Sequence, residues 1–219
     1  MAKLTWDGVG ERIMESGVKN GVLYLRDSNG DYPLGVAWNG LTNVTESPSG
    51  AEPTPMYADD IKYLNLLSIE EFGATIECYT YPDEFNECDG SNTTLATGLS
   101  IGQQDRKTFG FAYKTTIVND VDGYDHGYKI NIVYGAIASP SEKSHDSIND
   151  TPEGMTLSYE VSTTPVAVTG AKPTASVVLD SRTTDPAKLA ALELLIFGDV
   201  ATDAYLPLPD EIVTLLNAA

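Results

Sequence analysis

The strongest signal in the chain is alternation. From Phe109 onward the odd positions Phe109, Phe111, Tyr113, Thr115 and Ile117 are apolar or β-branched, while Thr108, Gly110, Ala112, Lys114 and Thr116 between them are small or polar. That is the pattern of a strand with one face on a core. Tyr128, Ile130, Ile132 and Tyr134 repeat it against Lys129, Asn131, Val133 and Gly135, with the turn sequence Asp120-Val121-Asp122-Gly123 in between, so a long antiparallel hairpin is predicted. A third alternation sets Met155, Leu157, Tyr159, Val161 and Thr163 against Thr156, Ser158, Glu160 and Ser162, before Pro165 and a weaker strand around Ala175 to Leu179. Val22 to Arg26 and Leu34 to Trp38 flank Asp27-Ser28-Asn29-Gly30-Asp31, and Ala74 to Tyr81 forms one more strand. About seven strands separated by turn residues predict a mainly β fold, an antiparallel sandwich or barrel-forming sheet.

Helical patterning is confined to the end of the chain. Asp185 stands at an N-cap position with Pro186 behind it, and Leu189, Leu192, Leu194, Leu195, Ile196 and Phe197 precede Gly198 as a stop. A helix apolar nearly all round is expected between layers or against another subunit. A second, shorter helix is predicted from Pro209, with Asp210 and Glu211 in its first turn, where the helix dipole favours acids.

One segment fits neither pattern. Residues 46–72 link two strands, against a usual connection of about 4–6 residues. They carry Met56, Tyr57, Ile61, Tyr63, Leu64, Leu66, Leu67 and Phe72, too many apolar groups for a solvated linker. The segment is expected to dock, either on its own subunit or, as the favoured reading, on a neighbour.

The chain has 219 residues, 42% hydrophobic and 21% charged, and is expected to be a single domain over 1–219, with 46–72 a long loop and 199–219 a C-terminal arm. Asp and Glu outnumber Lys and Arg by 32 to 13, a net charge of -19. This balance argues against a grip on nucleic acid through phosphate neutralisation and against anionic membrane surfaces. No secretory signal and no apolar run of membrane-spanning length is visible, so a soluble protein made in the cytosol, without membrane insertion, is expected. Cys78 and Cys88 are the two cysteines; reduced thiols are the favoured reading, a disulfide closing the loop between them the other.

Chemistry is thin. His126 and His145 lack zinc-ligand spacing and are read as surface residues, and nucleophile-elbow, nucleotide-loop and metalloprotease motifs do not occur. Asp120-Val121-Asp122-Gly123-Tyr124-Asp125 crowds three acids into a turn but lacks the ligand order of a calcium loop, so it is read as a solvated hairpin tip. Asp83, Glu84, Glu87 and Asp89 are expected in a one-turn helix after Pro82. Asn43-Val44-Thr45, Asn92-Thr93-Thr94 and Asn149-Asp150-Thr151 match a glycosylation pattern that, without export, marks only an Asn/Thr-rich surface. No catalytic residue, metal or cofactor is expected.

The succession Thr54-Pro55-Met56-Tyr57-Ala58-Asp59-Asp60-Ile61-Lys62-Tyr63, Glu70-Glu71-Phe72-Gly73-Ala74-Thr75-Ile76-Glu77, and Tyr81-Pro82-Asp83-Glu84-Phe85 with Cys88-Asp89-Gly90 resembles the major tail proteins of long, non-contractile-tailed bacteriophages of Gram-positive hosts. So do the hairpin, Phe109 to Thr115 with Gly127 to Gly135, and the ending Leu206-Pro207-Leu208-Pro209-Asp210-Glu211-Ile212. The resemblance implies a two-sheet subunit that closes with its own copies into hexameric rings. Stacked rings would form a tail tube in the virion, assembled in the host cytoplasm, through which DNA passes without specific binding. It also implies a tape-measure protein, a tail tip and a tail terminator as partners.

In that reading Met56, Tyr57, Asp59, Asp60, Ile61, Tyr63 and Leu64 contact the next ring. The polar positions Thr108, Lys114, Thr116, Lys129, Asn131, Ser158, Glu160 and Ser162 line or lie near the lumen, although alternation marks a wet face without saying which one. The competing readings are a tube subunit of a contractile tail or secretion-type injection machine and, in another class, a carbohydrate-active β-sandwich using Trp6 and Trp38 as a sugar platform.

Overall fold

The computed structural model describes residues 4–91, 94–145, 147 and 154–218. In chain order the elements are β1 (Ile13–Leu25), β2 (Gly35–Trp38), β3 (Leu41–Glu46), β4 (Ser49–Gly50), β5 (Pro53–Ala58), β6 (Ile61–Leu67), β7 (Glu70–Glu71) and β8 (Gly73–Cys78). A 3-10 turn (Asp83–Phe85) leads into α1 (Asn86–Asp89), as the acidic cluster after Pro82 predicts. Then come β9 (Phe109–Asn119), β10 (Gly123–Ala138), β11 (Leu157–Thr163), β12 (Ser176–Asp180), α2 (Pro186–Phe197) and α3 (Pro209–Asn217). The Asn149-Asp150-Thr151 pattern and Asn92-Thr93 lie outside the described residues.

The predicted hairpin is the centre of the main sheet. β9 and β10 pair antiparallel with Phe111 opposite Val133, Tyr113 opposite Asn131 and Thr115 opposite Lys129. Around them the sheet runs β2-β1-β9-β10-β11-β8-β3, with β12 also on β10. β10 is long enough to serve two partners on one side: Lys129 to Val133 pair with β12, and Ala136 to Ala138 with β11. The changeover falls at Gly135, whose φ of 61° suits glycine and whose missing Cβ would lie 2.1 Å from the Thr164 carbonyl oxygen.

The sheet curls, so each of its faces buries a core. Phe109, Phe111 and Tyr113 turn inward with Leu23, Trp38, Ile76, Cys78, Tyr159 and Val161. Phe85 plugs this space, its ring 4.6 Å from that of Trp38, 5.5 Å from Phe109 and 4.9 Å from Tyr159. Offset and edge-on ring pairs of this kind add to the burial itself, which contributes about 1.5–3 kcal/mol for each large side chain. β3, at one end of the strand order, comes over β9 near its middle, where Tyr113 Oη donates to Glu46 Oε1. Among the described residues no ladder joins β2 to β3, so the sheet is not a closed barrel.

Helices cover the opposite face. Val22, Ala112, Ile130, Ile132 and Tyr134 pack under Leu189, Leu192 and Ile196 of α2 and Ile212 of α3. Buried phenols pin these layers: Tyr24 Oη donates to the Ile196 carbonyl (2.5 Å), Tyr134 Oη to the Pro207 carbonyl (2.8 Å), and Tyr32 Oη accepts from the Gly135 N–H (2.9 Å). α2 begins as expected, with the Asp185 carboxylate accepting from the N–H groups of Ala187 and Lys188, and ends at Gly198. Its inner side meets the sheet, while Ala187, Ala190, Ala191 and Leu194 are exposed.

Cys78 and Cys88 are free, buried thiols, and burial pushes Cys88 up to about 12. No helix of the described residues is long and apolar enough to cross a membrane.

Candidate functional site

The predicted long loop is a β-ribbon that projects from the body. β4 and β7 form its stem, with Ser49 opposite Glu71 and Gly50 opposite Glu70. Beyond a kink at Gly50 and Ala51, both at positive φ, β5 and β6 pair from Pro53 opposite Leu67 to Ala58 opposite Ile61. Asp59 and Asp60 make the tip, at φ of 51° and 60°. Two consecutive left-handed residues are what a two-residue hairpin turn requires, and aspartate tolerates that conformation better than most side chains.

The root is fixed on the body. Ser47 N–H donates to the Gly73 carbonyl (2.8 Å), Thr163 Oγ1 donates to the Phe72 carbonyl (2.6 Å), and Tyr113 holds Glu46.

Every residue of β5 and β6 is exposed. The large apolar side chains of the ribbon range from 48% exposure at Met56 to 86% at Ile69, with Tyr57, Ile61, Tyr63, Leu64, Leu66 and Leu67 between. Of the predicted segment, β5 and β6 therefore stand clear of the body, whereas Phe72 packs against the core. A free two-stranded ribbon is marginally stable in water. Its exposed apolar surface is on the order of 1,000 Å² summed over its two faces, against the few hundred Å² of the largest patch on a typical monomer. Among the inter-ring residues predicted from sequence, Met56, Tyr57, Asp59, Asp60, Ile61, Tyr63 and Leu64 all lie on this ribbon, toward its tip.

The eight positions expected on a wet face are divided among separate places. Lys114 and Thr116 point to the helix side, where Lys114 Nζ lies 2.6 Å from Glu193 Oε1 and above the rings of Tyr128 and Phe197, while Thr116 is buried. Lys129 and Asn131 point the other way, into a polar cleft of about 460 Å³ shared with Glu15, Glu46, Tyr113 and Thr115. There Lys129 Nζ and Thr115 Oγ1 both donate to the Glu15 carboxylate at 2.5 Å, and Asn131 Nδ2 donates to Thr115 Oγ1 at 3.3 Å. Burial acts to raise the Glu15 pKa, but the hydrogen bonds from Lys129 and Thr115 outweigh it and hold the carboxyl below its usual range. Ser158, Glu160 and Ser162 lie on the side of β11 turned away from Leu157, Tyr159 and Val161, and Thr108 is half-buried at the start of β9.

The candidate chemical centres are otherwise occupied. At the β9–β10 turn Asn119 Oδ1 accepts from the N–H groups of Val121 and Asp122, Asp120 accepts from Gly10 N–H, and His126 Nδ1 sits 3.0 Å from Asp122. His145 is exposed. No group of three or more metal-ligating side chains occurs among the described residues. The proposed sugar platform is not formed: Trp38 is a core residue whose Nε1 donates to the Thr80 carbonyl, whereas Trp6 is exposed.

The inter-ring residues expected from the sequence cover the tip of the ribbon but not its half nearer the stem, where Pro53, Pro55 and Ile69 extend the exposed surface. Apolar content without alternation was the available signal.

No family model matches the sequence, and no curated protein matches it. Among solved structures the chain is similar to one in the 6-fold symmetrised cryo-EM structure of the anti-feeding prophage (AFP) baseplate, at 10% identity and a TM-score of 0.37, covering 80% of this chain and 97% of that one. A likeness of that size is too loose to carry fold or role across.

Proposed function

We propose that this protein is a structural subunit that polymerises with its own copies into stacked rings forming a phage-type tail tube, a conduit for DNA. The observation that carries the reading is the ribbon of residues 49–71: anchored at its root, rich in apolar side chains, and exposed at every residue of β5 and β6. A subunit with such an arm is incomplete until another molecule covers it. The open strand order supports the same reading: among the described residues β3 ends the main sheet and β12 pairs with β10 alone, leaving backbone edges that lateral neighbours would complete, while the β2 edge is partly taken by the Ala204 carbonyl on Gly35 N–H. The net charge of -19 suits a wall past which a phosphate backbone slides without adsorbing.

Negative-stain electron microscopy and sedimentation of the concentrated full chain test this. Rings or hollow rods about ten nanometres wide are expected, from a few sheet layers of roughly 10 Å around an opening that admits a duplex. Deleting residues 50–66 should leave a folded monomer that does not polymerise. Tubes of normal length from the deletion, or monomers at every concentration of the intact chain, would overturn the reading.

A further inference from the structure

Cross-strand partners share a face of a ribbon, so the register sorts the arm into two surfaces. Thr54 opposite Leu66, Met56 opposite Leu64 and Ala58 opposite Ile61 make an aliphatic face. Pro53 opposite Leu67, Pro55 opposite Asn65 and Tyr57 opposite Lys62 lie on the other, with Tyr63 the extra residue at the irregularity between Met56 and Tyr57. Ribbons that lie on one surface are apolar on one face and polar on the other, whereas strands buried on both sides are apolar on both. On this arm the second face carries Asn65 and Lys62, but Pro53, Pro55, Tyr57 and Leu67 make most of it apolar, so neither face is a polar one to give to solvent.

We propose that the arm is inserted between two neighbouring copies of this chain, one covering the aliphatic face and the other the proline-tyrosine face. The proposal rests on the tube reading and specifies its contact. The roughly 1,000 Å² of apolar surface on the arm is divided between its two faces, so one partner covering a single face would leave about half of it in water. Only contacts on both faces bring the buried area to the share of about 800 Å² or more that one chain gives to a stable interface. A closed ring of identical subunits has as many subunit boundaries as subunits, so a ring stacked on the next offers one cleft for every arm. Strand addition along β5 is disfavoured because Pro53 and Pro55 remove two backbone donors from it, so contact on that side is through the faces.

The test is photo-crosslinking of assembled full-length protein carrying benzoylphenylalanine in place of Leu64 or of Asn65, neighbours in sequence on opposite faces. Insertion predicts that the two positions label different segments of partner chains, and that a chain carrying both gives an adduct of three copies. It also predicts that Leu64→Glu and Tyr57→Glu each raise the protein concentration needed for assembly by at least about tenfold while the melting temperature stays put. Assembled particles in which both positions label one segment, or in which only one face labels and only one substitution matters, overturn insertion and leave the tube reading standing. An intact chain that never assembles overturns both.

Discussion

Tyr113 Oη donates to Glu46 Oε1 across 2.8 Å, joining the middle of β9 to the last residue before the arm leaves the body. The bond spans the two wings of the curled sheet, so it holds the arm's root against the core and sets where the ribbon projects. Tyr113→Phe keeps the ring packed against Phe111 and removes only the donor to the carboxylate of Glu46, an exposed residue that water can solvate in its place. The expected loss is about 1 kcal/mol in urea unfolding, the range of an ordinary hydrogen bond rather than of a buried charged one. The Ser47 amide, bonded to Gly73 at the same root, should exchange hydrogen faster. An unchanged unfolding midpoint and unchanged exchange would show that the root is held by packing alone.

Alkaline pH should unfold this protein through its tyrosines. Burial pushes the phenols of Tyr24, Tyr113, Tyr134 and Tyr159 well above the ordinary value of 10.0. In the unfolded chain these groups ionise near pH 10, while in the folded chain they keep their protons. Above that pH the folded state therefore binds more protons than the unfolded state, and stability falls as pH rises. Denaturant midpoints should hold level through about pH 9 and drop above about pH 10. Phenolate absorbance from these four buried rings should appear together with loss of the fold. Their ionisation near pH 10 with the fold intact would contradict the burial described above.

Gly135→Ala should be among the most damaging single substitutions in the chain. The position combines left-handed backbone with a Cβ that would lie 2.1 Å from a backbone oxygen, so no side-chain rotation relieves it. It is also where β10 leaves β12 for β11, and its N–H is held by Tyr32. A loss of about 3 kcal/mol or more is expected in chemical unfolding, the sum of conformational strain and displaced ladder. By contrast Gly98→Ala, at similar φ but with open space around it, should cost only the strain, about 1 kcal/mol.

The difference between these glycines shows where sequence reading stops. Strands β9 and β11 were legible because their large side chains, Phe109, Phe111 and Tyr113 with Leu157, Tyr159 and Val161, all face one core, and β10 because Ile130, Ile132 and Tyr134 face the other, under the helices, while smaller residues fill the opposite sides. The caps of α2 and α3 were legible because Asp185, Pro186 and Pro209 act locally. β3 was not, since a register irregularity between Leu41 and Asn43 breaks its alternation. β5 and β6 were not, because a ribbon exposed on both faces has no dry side to impose a period. The wet-face residues were grouped from alternation within each strand, but the register sets Lys129 opposite Thr115 rather than Lys114, placing Lys114 and Lys129 on opposite sides of the sheet. Long-range register is not written in either strand alone.

Salt should promote assembly. Each added copy brings a net charge of -19, and the arm itself carries Asp59, Asp60, Glu52, Glu70 and Glu71 against Lys62 alone. Apolar burial drives the contact and like charge opposes it, so screening lowers the barrier. The Debye length falls from about 30 Å at 0.01 M salt to about 8 Å at 0.15 M, short enough to separate charges on neighbouring copies. The concentration needed for rings or tubes, read by sedimentation, should therefore drop as sodium chloride rises across that range. Asp59→Asn with Asp60→Asn should shift the curve to lower salt, since asparagine keeps the left-handed turn and two negative charges are removed from the tip. If the tip instead seats by pairing with basic groups of its partner, both signs reverse: salt would disperse the particles, and the double substitution would weaken them.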